Sequence, residues 1–90
     1  MRIMLMAKDA PGALQTRMAN RDAHLGYIAE TGIVEMAGPL LDADGAMCGS
    51  LIVLDLPDLK AAHDWAANDP YNKAGLFSAV EISEWKKVIG

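Results

Sequence analysis

Arg17, Arg21 and His24 are the residues in this sequence whose types and spacing invite a chemical reading. Placed on a helix at about 100° per residue, Leu14, Met18, Leu25, Ile28 and Ala29 form an apolar stripe. Arg21 falls near the middle of that stripe, and Arg17 and His24 lie together on one flank. A guanidinium in an apolar face must snorkel to water or meet an anion. Arg21 therefore either pairs with an acid such as Glu35 or Asp69, or lines a pocket and holds an anionic or carbonyl group. His24, one turn on, is the natural proton-transfer group near neutral pH. Spacing alone makes it a boundary histidine. A carboxylate partner would change that by fixing its tautomer and favouring the imidazolium.

A carboxylate is pinned late in the chain, in Ala67-Asn68-Asp69-Pro70-Tyr71. Pro70 disfavours an α conformation at Asp69, so a helix running up to Asn68 ends there. Pro70 can open a new helical turn, with Asp69 as its N-cap. A cap bond would hold Asp69 in one orientation and leave an oxygen free to face an imidazole. Spacing does not say whether that imidazole is His24.

Other candidates are weaker. His63 reads as a surface residue, and two distant histidines with one cysteine match no zinc spacing. Cys48 and Ser50 sit in no nucleophile-elbow pattern. Gly38 and Gly49 permit close approach of a neighbouring element or a ligand. Tyr71 and Trp65 suit core or rim positions better than substrate-stacking ones. Neither a phosphate-binding glycine loop nor a dinucleotide fingerprint is present.

The elements that must position these groups follow from periodicity and punctuation. Arg2 to Lys8 reads as a strand, and Asp9-Ala10-Pro11-Gly12 as a turn. A helix runs from about Ala13 to Thr31, with Gly32 as its C′ residue. Ile33 to Leu41 is a second strand, in which Gly38-Pro39 marks a bulge, an edge or a bend. Asp42-Ala43-Asp44-Gly45 is a hairpin turn leading to a third strand, Met47 to Leu56. Pro57-Asp58 opens a second helix ending at Asn68, and Phe77 to Trp85 is the last strand. The order βαββαβ with right-handed crossovers is the ferredoxin-like arrangement: a four-stranded antiparallel sheet with both helices on one face. Apolar residues point to both sides in Ile3–Met6 and Leu51–Leu54, so the face without helices needs a cover. Sheet-to-sheet self-association is the simplest one.

Ninety residues make one small domain, 52% of it hydrophobic, with a formal charge of −4. The acidic balance, with no basic cluster beyond Lys86-Lys87, argues against nucleic acid and anionic membranes as partners. The single cysteine precludes an internal disulfide and fits a reducing, cytoplasmic setting. The apolar run Ile3 to Ala7 is too short for a signal peptide, and no stretch approaches membrane-spanning length.

Several motifs together resemble the YciI-like (YCII-related) family. They are Asn20-Arg21-Asp22-Ala23-His24-Leu25, Ala37-Gly38-Pro39, Gly49-Ser50, Ala74-Gly75 and Trp85-Lys86-Lys87-Val88. The most specific is Trp65-Ala66-Ala67-Asn68-Asp69-Pro70-Tyr71. The resemblance spans essentially all of residues 1–90 as one domain, with a hairpin loop, Asp42 to Met47, shorter than in some relatives. It implies a dimeric α+β barrel and a His24–Asp69 pair at the mouth of a pocket near the dimer interface. It also implies a cofactor-independent lyase or isomerase acting by proton transfer on a small ring or carbonyl compound. His24 and Asp69 are then the catalytic candidates, and Arg21, Gly38, Ser50 and Tyr71 the substrate-binding ones. The alternative readings are a small-molecule-binding dimer without turnover, and a structural subunit in which the same groups form a satisfied network.

Overall fold

In the computed structural model, which describes residues 1–90, strand β1 (Arg2–Asp9) lies inside the sheet, paired on both sides. Its central place fits its sequence, because a strand apolar on both faces gains most where both are covered. The other elements follow as α1 (Leu14–Thr31), β2 (Val34–Leu41), β3 (Met47–Asp55), α2 (Leu59–Ala67), α3 (Pro70–Lys73) and β4 (Phe77–Glu84). The strand order is β2-β3-β1-β4, and every neighbouring pair is antiparallel. This is the ferredoxin-like topology expected, with element ends within one or two residues of those read from the sequence.

Local chemistry sets the boundaries. α1 stops at Gly32, whose φ of 65° is left-handed and whose N–H reaches the Ile28 carbonyl. The Asp58 side chain accepts from the Ala61 N–H and starts α2. Asp42 Oδ1 accepts from the N–H groups of Asp44 and Ala46 in the β2–β3 turn. Pro39 is tolerated because β2 is an edge strand. The irregularities of register in β2 fall between Val34 and Met36 and between Leu40 and Leu41, not at Gly38-Pro39. At Gly49 a Cβ would collide with the Ala7 carbonyl oxygen, so the close approach this glycine allows is to β1.

The core lies between one sheet face and the helices: Ile3, Leu5, Ala7, Ile52 and Leu54 pack with Ala62, Trp65 and Ala66. The Trp65 indole N–H is satisfied by Thr31 Oγ1 at 3.0 Å. Along the opposite sheet face Met6, Leu51 and Met36 remain 40%, 36% and 62% exposed. No helix is long and apolar enough to cross a membrane.

The orientation of α1 departs from the hydropathy pattern. Its buried residues are Arg17 and His24, the flank of the apolar stripe, whereas Leu14, Met18 and Leu25 are 45%, 55% and 44% exposed. The helix is turned so that two ionisable side chains reach buried carboxylates. Turning it the other way would strand both ionisable groups away from their partners, and a buried charge left unpaired costs about 3–5 kcal/mol.

Candidate active site

Asp69 does what its local sequence dictates. It sits in extended backbone ahead of Pro70, which occupies the first turn of α3, and its Oδ1 accepts the Tyr71 N–H at 3.0 Å. The same oxygen meets His24 Nδ1 at 2.8 Å, with both side chains buried. One oxygen thus serves cap and imidazole together, where separate oxygens were expected. Because a carboxylate only accepts, Nδ1 carries the proton and donates, which leaves Nε2 as the basic nitrogen. Nε2 has no protein partner, and no fully buried side-chain polar atom in the molecule lacks one, so Nε2 keeps access to solvent.

Beside this pair lies a second buried constellation that the motif reading did not single out. Arg17 Nε donates to Asp9 Oδ2 and Nη2 to Asp9 Oδ1, both at 2.8 Å, and Nη2 also donates to Ser50 Oγ at 2.9 Å. Burial works against the guanidinium's charge, but the Asp9 carboxylate outweighs it and holds the Arg17 pKa above its ordinary value. The available signal was the seven-residue spacing of Arg17 and His24, two turns along one flank of α1. Asp9, the last residue of β1 and in the sequence the first of a turn cluster, carried no mark of its own.

Tyr71 joins the two sets. Its ring stacks on the His24 imidazole with centroids 3.9 Å apart and planes 12° from parallel. The Arg17 guanidinium lies 4.8 Å from the centroid of the same ring and makes no hydrogen bond of normal geometry with the hydroxyl. Burial raises the Tyr71 pKa above 10.0 despite the opposing pull of Arg17 and Arg21, so the phenol stays protonated at neutral pH. Tyr71 is thus both a core residue and a wall of the site.

A cavity of about 200 Å³ opens here between α1 and the β2–β3 edge. Arg17, His24, Ser50 and Tyr71 form its polar side; Leu25, Ile28, Ile52 and the Ala37–Pro39 segment form much of the rest. Of the sequence candidates, His24, Arg21, Gly38, Ser50 and Tyr71 all border it, with Asp69 directly behind His24. Ser50 presents its hydroxyl to Arg17, while its backbone belongs to an interior strand paired on both sides. Arg21 is exposed at the rim and forms no ion pair; Glu35, one expected partner, bonds to Arg2 Nε instead at 2.8 Å. His63 is exposed, and Cys48 makes only a weak 3.5 Å contact to the Leu40 carbonyl.

Comparison with known proteins bears on the family and the fold. The family model described as the YCII-related domain matches residues 1–86. An uncharacterized protein of Haemophilus influenzae is 33% identical over 94 aligned positions, covering 94% of this chain and 96% of its own length. Protein YciI of Escherichia coli is 31% identical with the same coverage. Among solved structures, 5-chloro-2-hydroxyhydroquinone dehydrochlorinase of Burkholderia phenoliruptrix, in complex with 2,5-dihydroxybenzoquinone, superposes with a TM-score of 0.89 at 36% identity, covering 96% of this chain and 94% of that one. An antibiotic biosynthesis monooxygenase shares the fold alone, with a TM-score of 0.56 at 8% identity over 96% of this chain and 98% of that one.

Proposed function

This chain belongs to the YCII-related family, and we propose that it is a cofactor-independent lyase- or isomerase-type enzyme that moves a proton on a small oxygenated ring through His24 and Asp69. The observation that carries the reading is the His24 Nδ1–Asp69 Oδ1 bond, with Nε2 unpaired and His24 among the residues lining the cavity. The 36% identical neighbour, a dehydrochlorinase bound to a dihydroxybenzoquinone, supports both the lyase class and a ring-sized ligand.

In this mechanism Nε2 takes a proton from a carbon next to a carbonyl, and the C–H electrons pass into the ring as an enolate. Expulsion of a leaving group with its electron pair from the adjacent carbon completes an elimination. Return of the proton to another carbon completes an isomerisation. Asp69 keeps the imidazole in the useful tautomer and stabilises the imidazolium that forms. Arg21 at the rim adds a positive charge that attracts an anionic ring compound.

The enzyme acts as a sheet-to-sheet homodimer in this reading, because the apolar face carrying Met6, Met36 and Leu51 has no cover within the chain. The unpaired Cys48 is compatible with the cytoplasm.

The test is a thermal-shift screen of hydroxylated and halogenated ring compounds, followed by absorbance assays of each hit. A ligand at a hundred times its dissociation constant should stabilise the protein by roughly 2.7 kcal/mol. Turnover by wild type that falls on the order of a hundredfold in His24→Ala is expected. Full turnover by His24→Ala would sink the mechanism, and hits that bind without ever reacting would leave a non-catalytic binding dimer.

A further inference from the structure

Two exposed apolar surfaces lie at opposite edges of the molecule, and the chain itself covers neither. On α1, beside the cavity at the β2–β3 edge, Leu14, Met18 and Leu25 face solvent. Beyond β4, at the other edge of the sheet, Trp85 is half-exposed and Val88 and Ile89 are 84% and 92% exposed. Resting on the sheet-to-sheet dimer proposed above, we infer that residues 85–89 of each copy lie along the α1 stripe of the other and form the outer wall of its His24 cavity.

The two surfaces match in pattern, length and charge. Taken from its C-terminal end, the exposed side of α1 runs apolar, charged, apolar: Leu25, then Asp22 and Arg21, then Met18 and Leu14. The segment after β4 runs the same way: Trp85, then Lys86 and Lys87, then Val88 and Ile89. Leu14 to Leu25 covers about 16 Å of helix, and Trp85 to Ile89 about 13 Å of extended chain. Asp22, Lys86 and Lys87 enter no ion pair within the chain. Set antiparallel to α1, the segment brings its two lysines to Asp22 and its apolar residues to the two ends of the stripe. Arg21 borders the cavity and is left to serve it. The charges fix the register of this contact, and the apolar residues supply its affinity.

Strand pairing sets the route. Val34, Leu54, Ile3 and Glu84 form one row across the sheet, so β2 begins and β4 ends at the same end but at opposite edges. Two such sheets packed face to face about a two-fold axis along the strands put β4 of one copy over β2 of the other. The chain leaving β4 then emerges beside the other copy's β2, where α1 ends and the cavity opens. An axis across the strands would stack β4 on β4 and leave the segment at the edge away from α1. Within its own copy the segment starts beside α2, which packs near β4, and not beside α1. Laid over Leu25 at the cavity rim, it shields His24 Nε2 from bulk water, so the site is complete only in the dimer.

Cross-linking and histidine labelling test the inference on the full chain. In a Cys48→Ser background, Met18→Cys combined with Val88→Cys should give a covalent dimer on mild oxidation, and neither cysteine alone should. Diethyl pyrocarbonate labelling, mapped by peptide, measures access to His24, with the exposed His63 as the internal standard. In Val88→Asp/Ile89→Asp, whose positions are exposed within the chain, His24 labelling should rise about tenfold or more, the factor that corresponds to uncovering one aliphatic side chain. Asp22→Lys and Lys86→Glu/Lys87→Glu should each raise it, and the three changes together should restore protection. Light scattering separates the two levels of the argument. A monomeric wild type overturns the dimer and this contact with it. A dimeric wild type that forms no inter-chain cross-link, or whose His24 labelling ignores Val88→Asp/Ile89→Asp, overturns the contact and leaves the dimer standing.

Discussion

His24 and Asp69, 45 residues apart in the chain, are joined by a 2.8 Å hydrogen bond through an oxygen that also caps α3. The cap fixes the carboxylate, and the carboxylate fixes the tautomer of the imidazole. Asp69→Asn separates these duties, because asparagine is as good an N-cap as aspartate but carries no charge. Stability should change by no more than about 1 kcal/mol from the cap itself, whereas turnover should fall on the order of a hundredfold. Urea unfolding and steady-state kinetics on the same preparation check both, and wild-type turnover in Asp69→Asn would remove the pair from catalysis.

The Arg17–Asp9 pair predicts an asymmetry in stability. Arg17→Met leaves Asp9 buried without its partner, and Asp9→Leu does the converse, each at a cost of about 3–5 kcal/mol. The double variant, with two apolar residues facing each other, should recover much of that loss. A double-mutant cycle in urea measures it; additive losses would mean that the two charges are not coupled.

Tyrosine burial gives a pH dependence with a definite sign. Desolvation raises the pKa of both Tyr71 and Tyr27 above 10.0, with Asp69 adding to the effect on Tyr27. Above pH 10 the unfolded chain loses phenolic protons that the folded chain retains, so the unfolded state binds fewer protons and stability falls as pH rises. The melting temperature should therefore decline from pH 10 upward, and less steeply in Tyr71→Phe. An equal slope in that variant would locate the alkaline transition elsewhere.

The uncovered sheet face makes the oligomer testable by one substitution. Met36, on the edge strand and 62% exposed, faces the same side as Val53, its partner in β3. A carboxylate buried there without a counter-charge costs several kcal/mol, so Met36→Asp should shift the protein from dimer to monomer at micromolar concentration. Light scattering reports the mass directly, and a monomeric wild type would refute the sheet-to-sheet arrangement.

The elements themselves were legible because their signals are local. Gly32 ends α1, and Asp58 and Asp69 cap the helices that follow them, whereas Gly38-Pro39 left a bulge, an edge or a bend open until the strand order placed β2 at the edge. Each cap is decided by the backbone chemistry of a few neighbouring residues. Within the sequence, the family motifs and not the spacing link His24 to Asp69.

Rotation of α1 was not legible. Periodicity identifies a stripe on a helix but not the angle at which the helix sits on its sheet. Leu14, Met18 and Leu25 pointed one way, and the bonds from Arg17 to Asp9 and from His24 to Asp69 turned it another. Those bonds join residues from separate elements, and their strength depends on burial that exists only after folding. So the sequence by itself determined where each element begins and ends, the pinned carboxylate at Asp69, and a sheet apolar on both faces. Only the tertiary structure decided that Arg17 rather than Arg21 is the buried cation of the site. Hydropathy is a property of single residues, whereas a paired buried charge is a property of two.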